Sequence, residues 1–470
     1  MTASLAHAGR GSNHKRARRD QFLPGRIAPL CPAPALHGAR RWAIGDAQQR
    51  MDSSLSDTRH PFAFRDYRYY WSARLSSTIA QNAMVVVIGW QVYDVARRTM
   101  GIKAASLQLG LVGLLQFVPL FALTLITGWT ADRLDRRRIV KATTSLQLFC
   151  AAALGWLSLH GNVSLPALFA VAVLLGVGRA FSMPALTALA PNLVPAPVLP
   201  RAIATSAIAG RVGAILGPAL GGYLYAWKPF LPYAVGAVLL AFSIAAMFIV
   251  RPIGRAEMRG SRNPWRQMVE GLFYVRRNRL VLGAISLDLF AVLLGGATAM
   301  LPVFAYDILH VGPAGLGHLR AAPAVGAVVT ALWFSQRPLR HNVGQKMLGA
   351  VAVFGAATMV FGLSRWMPLS LLCLTTLGAA DMFSVYVRQS LIQLSTPDDM
   401  RGRVGAVSSL FISASNELGE AESGFLAALV GPVAAVVAGG MGAVAITLLW
   451  ARWFPALRHA RSFDEAKVVE

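Results

Sequence analysis

Long apolar stretches, each set off by a short polar or Pro/Gly-rich break, run along the chain at 72–94, 107–131, 139–159, 165–190, 203–227 and 231–250. Six more follow at 280–306, 314–335, 347–364, 368–394, 404–430 and 432–451. They approach or exceed the roughly 20 residues that an α-helix needs to cross a bilayer. The pattern predicts an all-α integral membrane protein of twelve transmembrane helices, six and six. The widest break, 251–279, is basic and reads as a linker, and within it Pro264 to Arg277 predicts an amphipathic helix lying on the membrane surface. The expected organisation is an N-terminal extension at 1–60, a six-helix bundle at 61–250, the linker at 251–279, a second bundle at 280–451 and a tail at 452–470.

Composition agrees with the spans. The 470 residues are 55% hydrophobic and 14% charged, against about 25% charged in an average soluble protein. A net charge of +24 would ordinarily point to nucleic acid, but its distribution says otherwise. Of 45 Lys and Arg, 35 fall in every second segment, starting with the N-terminus, and only Arg97, Arg98, Lys103, Lys228 and Arg365 fall in the alternate segments. Basic loops mark the cytoplasmic side, so both termini are expected in the cytoplasm and the chain in the plasma or inner membrane. Nucleic acid is not an expected partner; the bilayer is.

The first 50 residues, with 9 basic and 2 acidic residues, scattered Pro and no apolar core of signal-peptide length, read as a disordered extension. Alternatively they lie upstream of a true start at Met51, or form an Arg-rich presequence or a basic arm on anionic lipid. Cys31, Cys150 and Cys373 are far apart and signal neither a disulfide framework nor a thiolate site.

Two motifs carry mechanism. After the second span the chain reads Gly128-Trp-Thr-Ala-Asp132-Arg133-Leu-Asp135-Arg136-Arg137-Arg138. Gly128 permits close helix approach, and Asp132 can cap a helix N-terminus and pair with an arginine. With Arg133, Asp135, Arg136 and Arg137 they form a candidate conformational gate; a plain topology anchor is the alternative. In the fifth span, Gly213-Ala-Ile-Leu-Gly217-Pro218-Ala-Leu-Gly221-Gly222 lines one helix face with small residues, and Pro218 removes a backbone hydrogen bond. Such a surface would let two halves rock against each other.

Ionisable residues inside spans are expensive and mark function. Arg179 and Arg211 lie in the fourth and fifth spans, Asp288 in the seventh, Asp381 and Arg388 in the tenth, and Glu417, Glu420 and Glu422 in the eleventh. These are the candidates for proton coupling or charge pairing. Asp381 and Arg388 share a face, as do Glu417 and Glu420, and an Arg388 pair with Glu417 or Glu420 is expected across neighbouring helices. A static ion pair is the competing reading. Gln81 and Gln91 are candidates to line a substrate cavity.

No catalytic set appears. There is no G-x-x-x-x-G-K-[ST] loop, no H-E-x-x-H and no Cys/His cluster, so neither enzyme chemistry, nor ATP, nor a metal, nor a cofactor is expected, and a proton gradient is the expected drive.

The Gly128–Arg138 loop resembles the signature loop G-x-x-x-D-R-x-G-R-[KR] of the major facilitator superfamily, departing from it at Asp135. The Gly213–Gly222 run resembles the motif that marks its exporters. With Phe64 to Arg74, Ala131 to Arg138 and Thr396 to Val404, residues 60 to 455 look like the transmembrane secretion effector branch, which includes the enterobactin exporter. The resemblance implies the 6+6 fold, a monomer, and proton-driven export of a siderophore or other small amphiphilic molecule by alternating access. A multidrug antiporter of the same fold, a non-transporting accessory protein and an importer are the alternatives.

Overall fold

The computed structural model describes residues 60–133, 135–251, 264–337, 339, 341–397 and 400–460. The first 59 residues lie outside the described part, and with them the reading of the N-terminal extension and of Met51.

Twelve long helical spans appear among the described residues, and no strand. In the first half they are α1 (Arg65–Arg97), α2 (Ile102–Arg133), α3 (Arg136–Leu159), α4 (Leu165–Leu189), α5 (Leu199–Trp227) and α6 (Leu231–Ile249). The short α7 (Pro264–Arg277) lies where the surface helix was predicted, its exposed face bearing Leu272, Phe273, Arg276 and Arg277. The second half has α8 (Arg279–Leu294), α9 (Gly312–Gln336), α10 (Val343–Leu363), α11 (Met367–Leu394), α12 (Arg401–Val430) and α13 (Pro432–Trp453). Ten spans are apolar enough to cross a membrane on composition alone; α1 and α12 are not, because polar and charged residues interrupt them.

The boundaries follow local chemistry. Asp135 caps α3, its carboxylate accepting from Arg137 N at 2.9 Å, and Asn278 caps α8 by accepting from Leu280 N and Val281 N. The backbone of Asp132 belongs to the last turn of α2, and its side chain lies outside the described part, as does the cap expected of it. Between α12 and α13 the chain turns at Gly431, with φ of 95°, a conformation that costs glycine little.

The seventh span is not one helix. After α8 come Gly295-Gly296, a 3-10 turn at Ala297–Met300, Leu301–Val303 and a π turn at Phe304–Ile308. Paired glycines and Pro302 weaken the helical ladder here, and a close neighbour uses the gap: a Cβ on Gly295 would lie 2.5 Å from Phe354 Cε1 of α10.

The same packing plan occurs twice. In the first half α1 packs on α5 and α6, α2 on α4, and α3 on α4 and α6; in the second, α8 packs on α12 and α13, α9 on α11, and α10 on α11 and α13. The halves meet along two seams, α2 with α12 and α5 with α9. Both seams rest on glycine. A Cβ on Gly110 would lie 2.8 Å from Gly424 Cα, and a Cβ on Gly317 would lie 2.7 Å from Pro218 O.

Candidate functional site

Five charged or amide side chains meet where the halves join. Arg179 of α4 places Nη1 2.9 Å from Glu417 Oε1 of α12 and donates from the same atom to Gln116 Oε1 of α2 at 3.1 Å. One turn along α12, Glu420 Oε1 lies 3.3 Å from Arg320 Nη2 of α9. Arg320 Nη1 also donates to Thr298 O at 2.7 Å, a carbonyl inside the break after α8. Irregular backbone at membrane depth is tolerated where protein groups satisfy it, and Arg320 does so here.

The two carboxylates thus face different halves: Glu417 ties α12 to the first half, Glu420 to the second. They differ in access as well. The Glu417 side chain is 7% exposed and that of Glu420 27%, while Arg179, the partner of Glu417, is 40% exposed. Glycines allow this approach. A Cβ on Gly113 of α2 would lie 2.9 Å from Glu420 Cβ, and one on Gly176 of α4 would lie 2.8 Å from Pro119 Cγ.

On the face opposite the basic loops, polar contacts lock the halves together. Asp307, carried by the π turn, accepts from Tyr93 OH and from Arg97 of α1, the latter by Nε and Nη2 at 3.1 Å each. Trp90 and Tyr93 pack their rings against Tyr306. Lys103 Nζ donates to Leu429 O at 2.8 Å, and Tyr223 OH and His318 Nε2 lie 2.6 Å apart across the α5–α9 seam.

The predicted charges are therefore paired differently from the expectation. Arg388 does not reach Glu417 or Glu420. Its partner is Asp288 of α8, both nearly fully buried inside the second half, because α8 and α11 are neighbours there while the carboxylates of α12 point at other helices. Arg211 is exposed on α5, its Nη2 3.7 Å from Met382 Sδ, the neighbour of Asp381 on α11. Glu422 is half-buried on α12.

Gln91 lies away from the junction. It is 3% exposed, donates to Ser158 Oγ at 3.0 Å and accepts from Tyr233 OH at 2.6 Å, which consumes its amide inside the first half. Gln81 is half-buried and donates to Gln147 Oε1 at 2.9 Å.

The Gly128–Arg138 loop is described in part. The side chains of Asp132 and Arg133 and the surroundings of Gly128 lie outside the described part of the structure. Arg137 is buried, its Nη2 3.5 Å from Met247 O of α6, while Arg136 stands half-buried on the first turn of α3. In the Gly213–Gly222 run, the glycines mostly serve one half: Cβ atoms would lie 2.6 Å from Thr78 Cγ2 at Gly213, 2.7 Å from Asn82 Cβ at Gly217 and 2.8 Å from Ala83 O at Gly221, all on α1. Gly222 alone of these faces the other half, at Pro313 O, and Pro218 O faces Gly317.

Sequence reasoning missed Arg320 and Asp307. Arg320 carried a signal, as a charge within a span; Asp307 did not, because it follows an apolar run that reads as a helix end.

The profile of the transmembrane secretion effector family matches residues 56–467. The enterobactin exporter EntS of Citrobacter koseri is 26% identical over 407 residues, 84% of this chain and 93% of that protein. EntS of Escherichia coli strain K12 is 25% identical over the same coverage. Solved structures share the fold: the nucleoside transporter NupG (TM-score 0.67, 11% identity, 83% of this chain and 100% of that one), a D-xylose-proton symporter (0.65, 14%, 86% and 99%), and a bacterial homologue of the iron transporter ferroportin in an inward-facing state (0.62, 16%, 84% and 99%).

Proposed function

The chain belongs to the transmembrane secretion effector family, a multi-pass membrane transporter of the major facilitator fold and not an enzyme, and from that premise we propose that it is a proton-coupled exporter of a siderophore or other small amphiphilic molecule. It works by alternating access as a monomer in the plasma or inner membrane. Its basic face and both termini lie in the cytoplasm, so the face closed by Asp307 is external.

The observation that carries the reading is the Arg179–Glu417 pair across the junction of the halves. A proton on Glu417 removes the negative charge and leaves Arg179 with Gln116 alone, so protonation weakens a link between the halves. External protons arriving when the outer face is open bind Glu417 and Glu420. Release to the cytoplasm restores both pairs, and an amphiphilic substrate enters beside the half-exposed Arg179. The relatives' names as enterobactin exporters support the substrate class. Asp381, near Arg211, is a further proton acceptor on this reading. The gate loop with Asp132 and Arg133 holds the cytoplasmic side closed when the outer side opens.

Proteoliposomes with an imposed pH gradient test this. Purified Glu417→Gln, folded and inserted, should lose gradient-driven export while keeping exchange of substrate across the membrane without a gradient. Full gradient-driven export by this variant would remove Glu417 from the coupling.

A further inference from the structure

The last turn of α13 and the turn after it form a groove of about 370 Å³ lined by Leu448, Ala451, Arg452, Pro455, Arg458 and His459. Both arginines and the imidazole are exposed, and no ion pair joins them to any described residue. The rest of the wall is apolar: Leu448 is 68% exposed, and the neighbouring Trp453 is 62% exposed. Tryptophan at the end of a span is an interfacial anchor, which sets the groove at headgroup height with Leu448 below it along the outer face of α13.

The floor is rigid. A Cβ on Gly283 of α8 would lie 2.8 Å from Phe454 Cδ1, so that ring is seated directly on α8, and Gly344 N donates to Ala460 O at 3.1 Å. Val343, Met347, Trp450 and Leu457 join one buried cluster beneath it. The backbone that carries the cations is therefore packed against the second half, in contrast to that of a loose surface loop.

We propose that this groove binds one anionic phospholipid, its phosphate held between Arg452, Arg458 and His459 and an acyl chain lying along Leu448. Two guanidinium groups offer paired donors to phosphate oxygens. A zwitterionic lipid carries its own cation beside the phosphate and gains less from the site. The site depends only on the membrane-spanning fold and is independent of substrate, coupling ion and orientation.

Native mass spectrometry of the full-length protein in detergent, titrated with phosphatidylglycerol and separately with phosphatidylcholine, tests it. One phosphatidylglycerol should bind about 30-fold tighter than phosphatidylcholine, on the order of what two arginines contribute near a lipid headgroup. R452Q/R458Q should erase that preference, while R276Q/R277Q on α7 should keep it. Equal binding of both lipids by the wild type, a preference surviving R452Q/R458Q, or equal loss in both double variants would overturn the proposal. So would a preference appearing only in D464N/E465Q, because the chain's own carboxylates would then fill the groove.

Discussion

Helices α5 and α12 hold the same place in the two halves, and they are built on the same glycines. Gly217 and Gly419 stand equally far from the starts of their helices, and each meets the first helix of its half: Gly217 faces Asn82 and Ile79 of α1, Gly419 faces Val292 and Leu293 of α8. Gly222 and Gly424 also match, and each meets the opposite half, at α9 and α2. Ser206 and Ser408 match as well. There the likeness ends, since α12 carries Glu417, Glu420 and Glu422 where α5 has only apolar and small residues. The contrast separates two features that the sequence merges: glycine faces give both halves the same packing surface, and carboxylates mark only one of them.

The root of each helix sharpens this. In the first half Arg74 Nη1 donates to Ser206 Oγ and to Tyr70 OH, both at 2.8 Å, a cation satisfied by neutral acceptors. In the second half, the buried Asp288–Arg388 pair sits beside Ser408, whose hydroxyl has no hydrogen-bond partner among the described residues. The first node is closed on itself; the second keeps opposite charges in a nearly dry core.

The largest effect is expected there. Asp288→Asn leaves Arg388 charged and buried, which costs about 3–5 kcal/mol, and thermal unfolding in detergent should show it. Asp288→Leu combined with Arg388→Met should recover most of that stability. If the single variant is as stable as the wild type, the node is not a charge pair at all.

Next come the seam glycines. Gly222→Leu and Gly424→Leu both force side chains against backbone of the other half, and overpacking costs about 1–3 kcal/mol. The strain falls on the state with the outer face closed, so each variant should shift the population toward outward-open by about 5- to 150-fold. Labelling a cysteine introduced at Tyr306 with a membrane-impermeant thiol reagent reads the shift. A response from only one of the pair would end the equivalence of α5 and α12.

The smallest contrast is between the two serines. Ser206→Ala removes an acceptor from Arg74 and should cost about 1–3 kcal/mol, whereas Ser408→Ala removes a hydroxyl without a partner and should leave unfolding within about 0.5 kcal/mol of the wild type. Equal losses would mean that Ser408 has a partner, such as an ordered water.

Much of the fold was legible because a bilayer imposes a length and a polarity on each span. Eleven of the twelve apolar stretches became single helical spans with bounds within seven residues of those read from the sequence, the seventh was broken after Leu294, and Pro264–Arg277 became α7. The break after α8 was harder to read: Gly295-Gly296 and Pro302 sit inside an apolar run, and glycine and proline are common in membrane helices. The site was legible as a set of residue types, since charges within spans stand out against hydrocarbon. Arg179, Glu417 and Glu420 were found that way, but the partnership of Arg388 with Glu417 or Glu420 was not realised, and Gln91 proved to be spent inside the first half.

The sequence by itself determined the number of spans, the face that carries the basic loops and the residues able to bear charge across a membrane. These depend on transfer of each residue from water to lipid, a property of the residue and its near neighbours along the chain. Only the tertiary structure decided which charge meets which, that Glu417 joins the halves while Asp288 holds one half together, and that four glycines in α5 and α12 serve as two matched surfaces. An ion pair or a backbone contact requires two helices within a few ångströms, and which helices are adjacent follows from the packing of all twelve.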